Sequence, residues 1–390
     1  MEYFDLISKY NKVIFFYLLV IMSSSFFAHL SYRYKKGVLI WNKVWFVLSF
    51  AILFLFLGFN SYSIDYENYA YIFERSTSFQ YFISSPIEKG YLLFNCIIRF
   101  FTDSFYVFHI IWAFVILVLY YSTIAEYRSV LNPGYCILAY TCIYLIQSLA
   151  LMRLYLAIAI VFWGVRFVFK RKYFSFCLVI ITAMFFHKSA ICLFFPAALI
   201  IASEKRGHFI SKILFCIVFF VLIYSFQNFL FGDIFYGYAY GLRKTDGFGF
   251  APIAYAIPIG ALLYYVKKKY PQRVSNDYIV TELFVFSVCA LTLSMMRYFI
   301  VMISRAVFYF TYVTIVFPSY LLSIDYEERY KKNEFSKGLN HNTHGHIIMD
   351  SRFFLNVFFI MYFLFRAFMM ISYIESDGLN VYFSLFGFSI

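Results

Sequence analysis

Three arginines and a histidine carry the chemistry that this sequence is equipped to do. Arg153 opens one apolar run of helical length, His187 closes the next, and a basic turn, Lys170-Arg171-Lys172, joins them. At ~1.5 Å per residue the chain runs roughly 24 Å from Arg153 to Lys170 and roughly 21 Å back to His187, which predicts a fixed cation and a titratable base at similar depth. Arg297 and Arg305 flank the turn expected within 278–322, a nearly unbroken apolar stretch long enough for two spans. Guanidinium groups keep their charge and fork onto phosphate oxygens, so three of them at one outer face suit a pyrophosphate at a membrane surface. For a single arginine the commoner reading is snorkelling to lipid headgroups. His187 titrates near neutrality and suits a general base, its plainer role being a structural cap.

Two acidic positions stand beside these cations. Asp65 and Glu67, in SIDYENY, are carboxylates one residue apart. They can share a hard divalent cation, but two carboxylates are too few ligands to specify one, and Asp65 reads better as an acid contacting substrate. Glu88, in SPIEKGY, either accepts a hydrogen bond from a sugar hydroxyl or compensates the positive start of a short helix. Asp65 and Glu88 are the alternatives to His187 as base, and no resident metal or cofactor is expected. Arg243 and Lys244 in GLRKTDGFGF either touch an anionic substrate or, as loop cations more commonly do, face water; His341, His344 and His346 in HNTHGH resemble a weak metal tract but fall in a polar cytoplasmic loop and are assigned no role.

The frame around these residues is apolar. Hydrophobic residues make up 63% and charged residues 14% of the 390, and the mean hydropathy is +0.75. No soluble domain of this size has that balance; it indicates a multi-pass membrane protein. Apolar runs of helical length, without a ten-residue alternating pattern, predict an all-α transmembrane bundle rather than a β-barrel. About twelve spans are expected, near 13–30, 39–59, 104–124, 135–151, 153–169, 173–187, 189–202, 210–230, 251–266, 278–297, 303–322 and 353–373. The net charge of +13 sits in short Lys/Arg clusters between these runs, a topogenic pattern that argues against nucleic-acid binding. With every cluster in the cytoplasm, both termini fall outside. The seven cysteines lie in apolar helices without a Cys-x-x-Cys and read as packed thiols. The N-terminus lacks a clear cleavage site and reads as a retained first helix. Residues 91–101 are apolar but too short to cross, so 60–103 is expected as a large outer loop with a short interfacial or re-entrant helix. Its aromatics anchor at headgroups or face sugar rings. The whole chain, 1–390, reads as a single integral membrane domain, with a cytoplasmic connector over 323–352.

The motifs have an order. IDYENYAYIF (Asp65, Asn68, Tyr69, Phe73) and EKGYLLFN (Glu88, Gly90, Tyr91, Asn95) come first, followed by MRLYLAIAI (Arg153, Ala157), FFHKSAI (His187, Ser189, Ala190) and SRAVFYF (Arg305, Tyr309). In that order they resemble the EpsG/Wzy-like polysaccharide polymerases, over residues 60 to 320. The sequence departs from the pattern at Leu154, where many relatives carry Gln, and at Lys89, where a Glu-Pro-Gly-Tyr form is common. The resemblance implies a bacterial inner-membrane glycosyltransferase of the GT-C type whose active site faces the periplasm or cell exterior. Such an enzyme transfers a growing glycan from undecaprenyl pyrophosphate to a new lipid-linked repeat unit, in O-antigen, capsule or exopolysaccharide assembly. On that resemblance Arg153, Arg297 and Arg305 hold pyrophosphate, while His187, Asp65 or Glu88 supplies the base. Tyr69, Tyr91 and Tyr309 meet the glycan. The expected partners are the undecaprenyl-pyrophosphate-linked oligosaccharide, membrane lipids and a chain-length regulator. The alternative is a flippase for the same unit, which would carry cations deep in the bundle and often shows repeated halves.

Overall fold

The structure, a computed structural model, describes residues 11–35, 38–60, 65–194, 196–197, 251–296, 303–310, 312–339, 351–372, 384–385 and 388–389. Among these residues the chain is helical apart from two short hairpins, Tyr32–Lys35 with Val38–Trp41 and Ser384–Leu385 with Phe388–Ser389. It divides into two compact units, residues 1–159 with 322–390, and residues 160–321.

The first unit begins with α1 (Asn11–Leu30) and α2 (Lys43–Gly58). Three short helices fill the stretch expected as the outer loop: α3 (Tyr66–Arg75), α4 (Phe79–Ser84) and α5 (Lys89–Arg99). Then come α6 (Phe105–Glu126), α7 (Pro133–Ile143) and α8 (Leu145–Ala150). Next, α9 (Met152–Phe169) starts in the first unit and ends in the second. The second unit continues with α10 (Tyr173–Phe186), a 3₁₀ segment (Lys188–Leu193), α11 (Ala251–Lys269), α12 (Pro271–Ser275), α13 (Tyr278–Met296) and α14 (Ile303–Phe310). Finally α15 (Tyr312–Leu339) returns to the first unit, which α16 (Ser351–Ser372) completes.

Local sequence explains the helix ends. Asn42 caps α2 by accepting the Val44 amide at 3.0 Å. Asn132 caps α7 through the Gly134 and Tyr135 amides, with Pro133 at the position that has no use for an N–H. Among the described residues four stretches, 105–126, 152–169, 278–295 and 305–325, are long and apolar enough to cross a membrane. The 22 residues of α6 rise about 33 Å, against a hydrocarbon core of about 30 Å. Five shorter apolar helices accompany them. Their outward faces are apolar at helical spacing: Phe15, Leu19, Met22 and Phe26 on α1, and Phe174, Leu178, Ile181 and Phe185 on α10, are all exposed. Such stripes are a liability in water and a fitting surface in lipid. Inside, small polar groups join helices. The Ser49 hydroxyl donates to the Ser24 carbonyl at 2.7 Å and hydrogen-bonds the Tyr121 hydroxyl at 2.7 Å, linking α1, α2 and α6.

Several expected spans take a different form. The run 135–151 is two helices, α7 and α8, and the run 189–202 opens as 3₁₀ turns. The polar stretch expected as a connector begins as a continuation of α15, to Leu339. The run 210–230, the loop with Arg243 and Lys244, and His341, His344 and His346 lie outside the described residues.

The basic turn between α9 and α10 is tight, as its composition predicts. The Lys172 amide donates to the Phe167 carbonyl and the Arg171 amide to the Val168 carbonyl, the pair of bonds that closes a helix on a left-handed residue. Arg171 takes that conformation, at φ 54, where glycine is usual. Its guanidinium lies 4.1 Å from the centre of the Tyr278 ring, a contact that compensates part of the strain. Above the turn the helices approach closely. A Cβ at Gly164 would stand 2.5 Å from Cγ1 and 3.1 Å from Cβ of Val179, a stiff β-branched side chain on α10. Gly164→Ala is therefore expected to destabilise the protein by about 1–3 kcal/mol, read as a lower thermal unfolding midpoint in detergent; an unchanged midpoint would mean that the contact is slack.

Candidate functional site

One face of α6 builds the first cluster. Phe105, Phe108, His109 and Trp112 follow the i, i+3, i+4, i+7 spacing that puts residues on one side of a helix. Phe73 of α3 packs on Phe105 and Phe108, with ring centres 5.8 and 5.0 Å apart, and Phe94 of α5 packs on Phe108 at 5.5 Å. Tyr66 lies edge-on to Phe105 and His109, at 4.8 and 5.9 Å. The short helices α3 and α5 are thus set down on α6.

The start of α5 is fixed from the other side. Glu88 is its N-cap, and its side chain makes no capping bond. The Lys89 ammonium donates to the Ile83 and Ser85 carbonyls at 3.0 Å each, and also to that of Phe82. It thereby satisfies the last turn of α4. Lys89 thus ties α4 to α5.

This framework brings Glu88 to Arg153. Arg153 Nη1 donates to Glu88 Oε2 at 2.6 Å, with the Glu88 side chain 3% and the Arg153 side chain 21% exposed. The carboxylate is withdrawn from water, and the cation that holds it stays partly exposed. Tyr69 and Tyr91 stand beside the pair, with ring centres 6.1 Å apart. Burial pushes the Tyr69 phenol up, Arg153 draws it down, and Asp65 raises it further. Burial likewise holds Tyr91 well above the ordinary phenol range, with Tyr69 adding to the rise and Arg153 opposing it. Asn95 donates from Nδ2 to the Tyr91 carbonyl at 2.7 Å and is fully buried. Asp65, half-buried, sits at the N-cap of α3, while Glu67 is exposed. Asp65, Tyr69, Glu88, Tyr91, Asn95 and Arg153, drawn from three separate motifs, make one neighbourhood in the first unit.

The second cluster lies in the second unit. His187 ends α10 in an extended conformation and is 5% exposed. Its Nδ1 and the Ser189 Oγ are 2.6 Å apart, and the buried Tyr309 hydroxyl donates to its carbonyl at 3.5 Å. Cys192, in the 3₁₀ segment, approaches the Ala306 carbonyl at 3.9 Å, so the segment and α14 pack together. Arg305, on α14, is half-buried. Arg297 lies outside the described residues. Tyr69, Tyr91 and Tyr309, expected at the glycan, are all buried. The first two adjoin Arg153, and the third holds His187. Among the described residues no group of three or more His, Cys, Asp or Glu is placed to hold a metal.

Both clusters fall inside the stretch matched by one family model. The EpsG family model matches residues 43–338 of the 390, well over half of the chain. The chain belongs to the EpsG family. That membership carries a polysaccharide-polymerase-like, glycosyltransferase-like role for an all-helical membrane protein. No curated protein and no solved structure matches the chain.

Two residues of this EpsG-family site carry no motif. His109 is 3% exposed, and neither ring nitrogen makes a hydrogen bond among the described groups, although the Asn60 backbone lies beside it. Trp112 donates to the Met152 carbonyl. The only signal for either was helical spacing within a span that is apolar all round. Asp277, in the second unit, was also not anticipated. It accepts from the Ile279 amide, the Tyr320 hydroxyl and Arg273, at 3.0, 2.8 and 3.2 Å, and serves as a cap and brace for α13.

A buried carboxylate that loses its cation is costly. Arg153→Ala is expected to destabilise the protein by about 2–4 kcal/mol, the lower part of the range for a buried pair because one partner is partly exposed. Arg153→Met combined with Glu88→Gln should recover most of that loss. Thermal unfolding of the three proteins in detergent checks it; a double variant no more stable than Arg153→Ala would show that the pair does not set the local balance.

Proposed function

We propose that this protein is a polysaccharide polymerase. In this reading it moves a growing glycan from undecaprenyl pyrophosphate to a new lipid-linked repeat unit, on the outer face of a bacterial inner membrane. The observation that carries the reading is the buried Arg153–Glu88 pair, which lies within the stretch matched by the EpsG family model. Arg153 occupies the first turn of α9, just after a break in the helix at Leu151. The positive end of a helix and a guanidinium at the same point favour a phosphate group.

The reaction needs one bond made and one broken. An acceptor sugar hydroxyl oxygen bonds to the anomeric carbon of the glycan, and the bond from that carbon to the pyrophosphate oxygen breaks, its electron pair leaving with the pyrophosphate. The hydroxyl proton passes to a base. Arg153 stabilises the charge that grows on the departing oxygen, and Arg297 and Arg305 are assigned the same work. Glu88 orients Arg153 and is no longer the first alternative as base, because its carboxylate is already committed. His187 is assigned as the base: imidazole is the side chain suited to proton transfer near neutral pH, and Ser189 Oγ, 2.6 Å from Nδ1, orients the ring. Asp65 remains the alternative to it. The exposed apolar residues of α4 and α5, among them Phe79, Leu93, Ile97 and Phe100, seat the outer segment in the lipid interface.

Purified protein given a lipid-linked repeat unit should produce a ladder of longer glycans. Arg153→Lys and Arg305→Ala should each reduce the ladder at least a hundredfold while the protein stays in the membrane, and EDTA should leave it unchanged. A normal ladder in both variants would remove the arginines from the reaction. Transbilayer movement of the unit without any ladder would identify a flippase instead.

A further inference from the structure

We propose that Trp112 is a positioning residue for Arg153. The inference rests on the reading of Arg153 as a pyrophosphate-binding group and concerns what keeps that guanidinium in place. Trp112 is fully buried, and its indole Nε1–H donates to the Met152 carbonyl at 3.1 Å. Met152 and Arg153 are the first two residues of α9. Immediately before them α8 ends at Ala150, and Leu151 leaves helical geometry, at φ −120 and ψ 54. The first turn of α9 therefore has no continuous helix behind it to fix its direction, and first-turn amides lack partners within their own helix. An indole N–H is a donor with no second role. Here it restrains the chain sideways, one residue from the guanidinium.

The same face of α6 governs the other half of the ion pair. Phe108 seats α5 through Phe94 and Tyr91, and Glu88 is the N-cap of α5. His109, ringed by Tyr66 and Trp112, seats the start of α3 next to Asp65. Phe108, His109 and Trp112, on one face of α6, thus set where Glu88, Asp65 and Arg153 stand relative to one another. Trp112 touches none of the reacting groups and acts through the Met152 backbone. A displacement of Met152 moves the guanidinium away from both Glu88 and Tyr69, and charge stabilisation depends steeply on such placement.

The test is calorimetric titration of inorganic pyrophosphate onto the purified full chain, with glycan extension measured on the same preparations. Trp112→Phe keeps a buried ring and removes the donor. It is expected to weaken pyrophosphate binding and lower kcat by about tenfold each, with the acceptor KM unchanged. In an Arg153→Lys background Trp112→Phe should add little further loss of binding, because its effect runs through the guanidinium. Tyr140→Phe, which removes a buried hydroxyl elsewhere in the same unit, should leave both readouts at their original values. If Trp112→Phe does not assemble, replacement of Trp112 by benzothienylalanine, an isostere without the N–H, is read in the same way. Unaltered pyrophosphate affinity in the Trp112 variant, or equal losses in both backgrounds, overturns the inference. If the original protein itself does not bind pyrophosphate, the assignment of Arg153 fails, and the inference fails with it.

Discussion

A carboxylate taken out of water has to be met by a cation, and in the first unit that obligation falls on Arg153 and Glu88. The two are 65 positions apart in the chain and 2.6 Å apart in space. Desolvating either ion alone costs several kcal/mol, so neither element can shift without exposing the other to that cost. The surrounding structure follows from this requirement. Lys89 locks α4 to α5 so that Glu88 has a fixed origin, and the aromatic face of α6 carries α3 and α5. The helix break at Leu151 lets Arg153 begin a span instead of being buried in the middle of one.

The second unit holds a different kind of device. His187 is not ion-paired to an acid in any described contact; it is held by a serine hydroxyl on one ring nitrogen and by a tyrosine on its own carbonyl. The hydroxyl beside Nδ1 fixes the orientation of the ring. The fold supplies that orientation through 3₁₀ turns that begin at the residue after His187, where a continuing α-helix would have turned Ser189 away.

Much of this was legible in the sequence, and what was not has physical causes. The apolar balance identified the membrane, and the motif order identified the family. The basic turn at Lys170–Lys172 formed where its composition placed it, on a left-handed Arg171. Arg153 and Glu88 were each recognisable as residues with chemistry to do, but their partnership was not, because a contact across 65 positions leaves no periodic trace. The face of α6 was hidden for a related reason. A helix that is apolar all round has no polar side to mark which stripe faces protein, so Phe105, Phe108, His109 and Trp112 looked like any other part of a span. The tyrosines were found for their aromatic faces, yet Tyr69 and Tyr91 are buried against the cation and Tyr309 against the histidine. Aromatic type and motif position say nothing of burial, which depends on what the fold packs against each ring.

The account turns on whether the guanidinium beside Glu88 receives the pyrophosphate. An electron cryo-microscopy structure of the protein with undecaprenyl pyrophosphate bound answers this most directly. The expected result is a phosphate oxygen about 3 Å from the Arg153 guanidinium, with Glu88 still on its other side. A pyrophosphate seated elsewhere, with Arg153 occupied by Glu88 and a lipid headgroup alone, would contradict it.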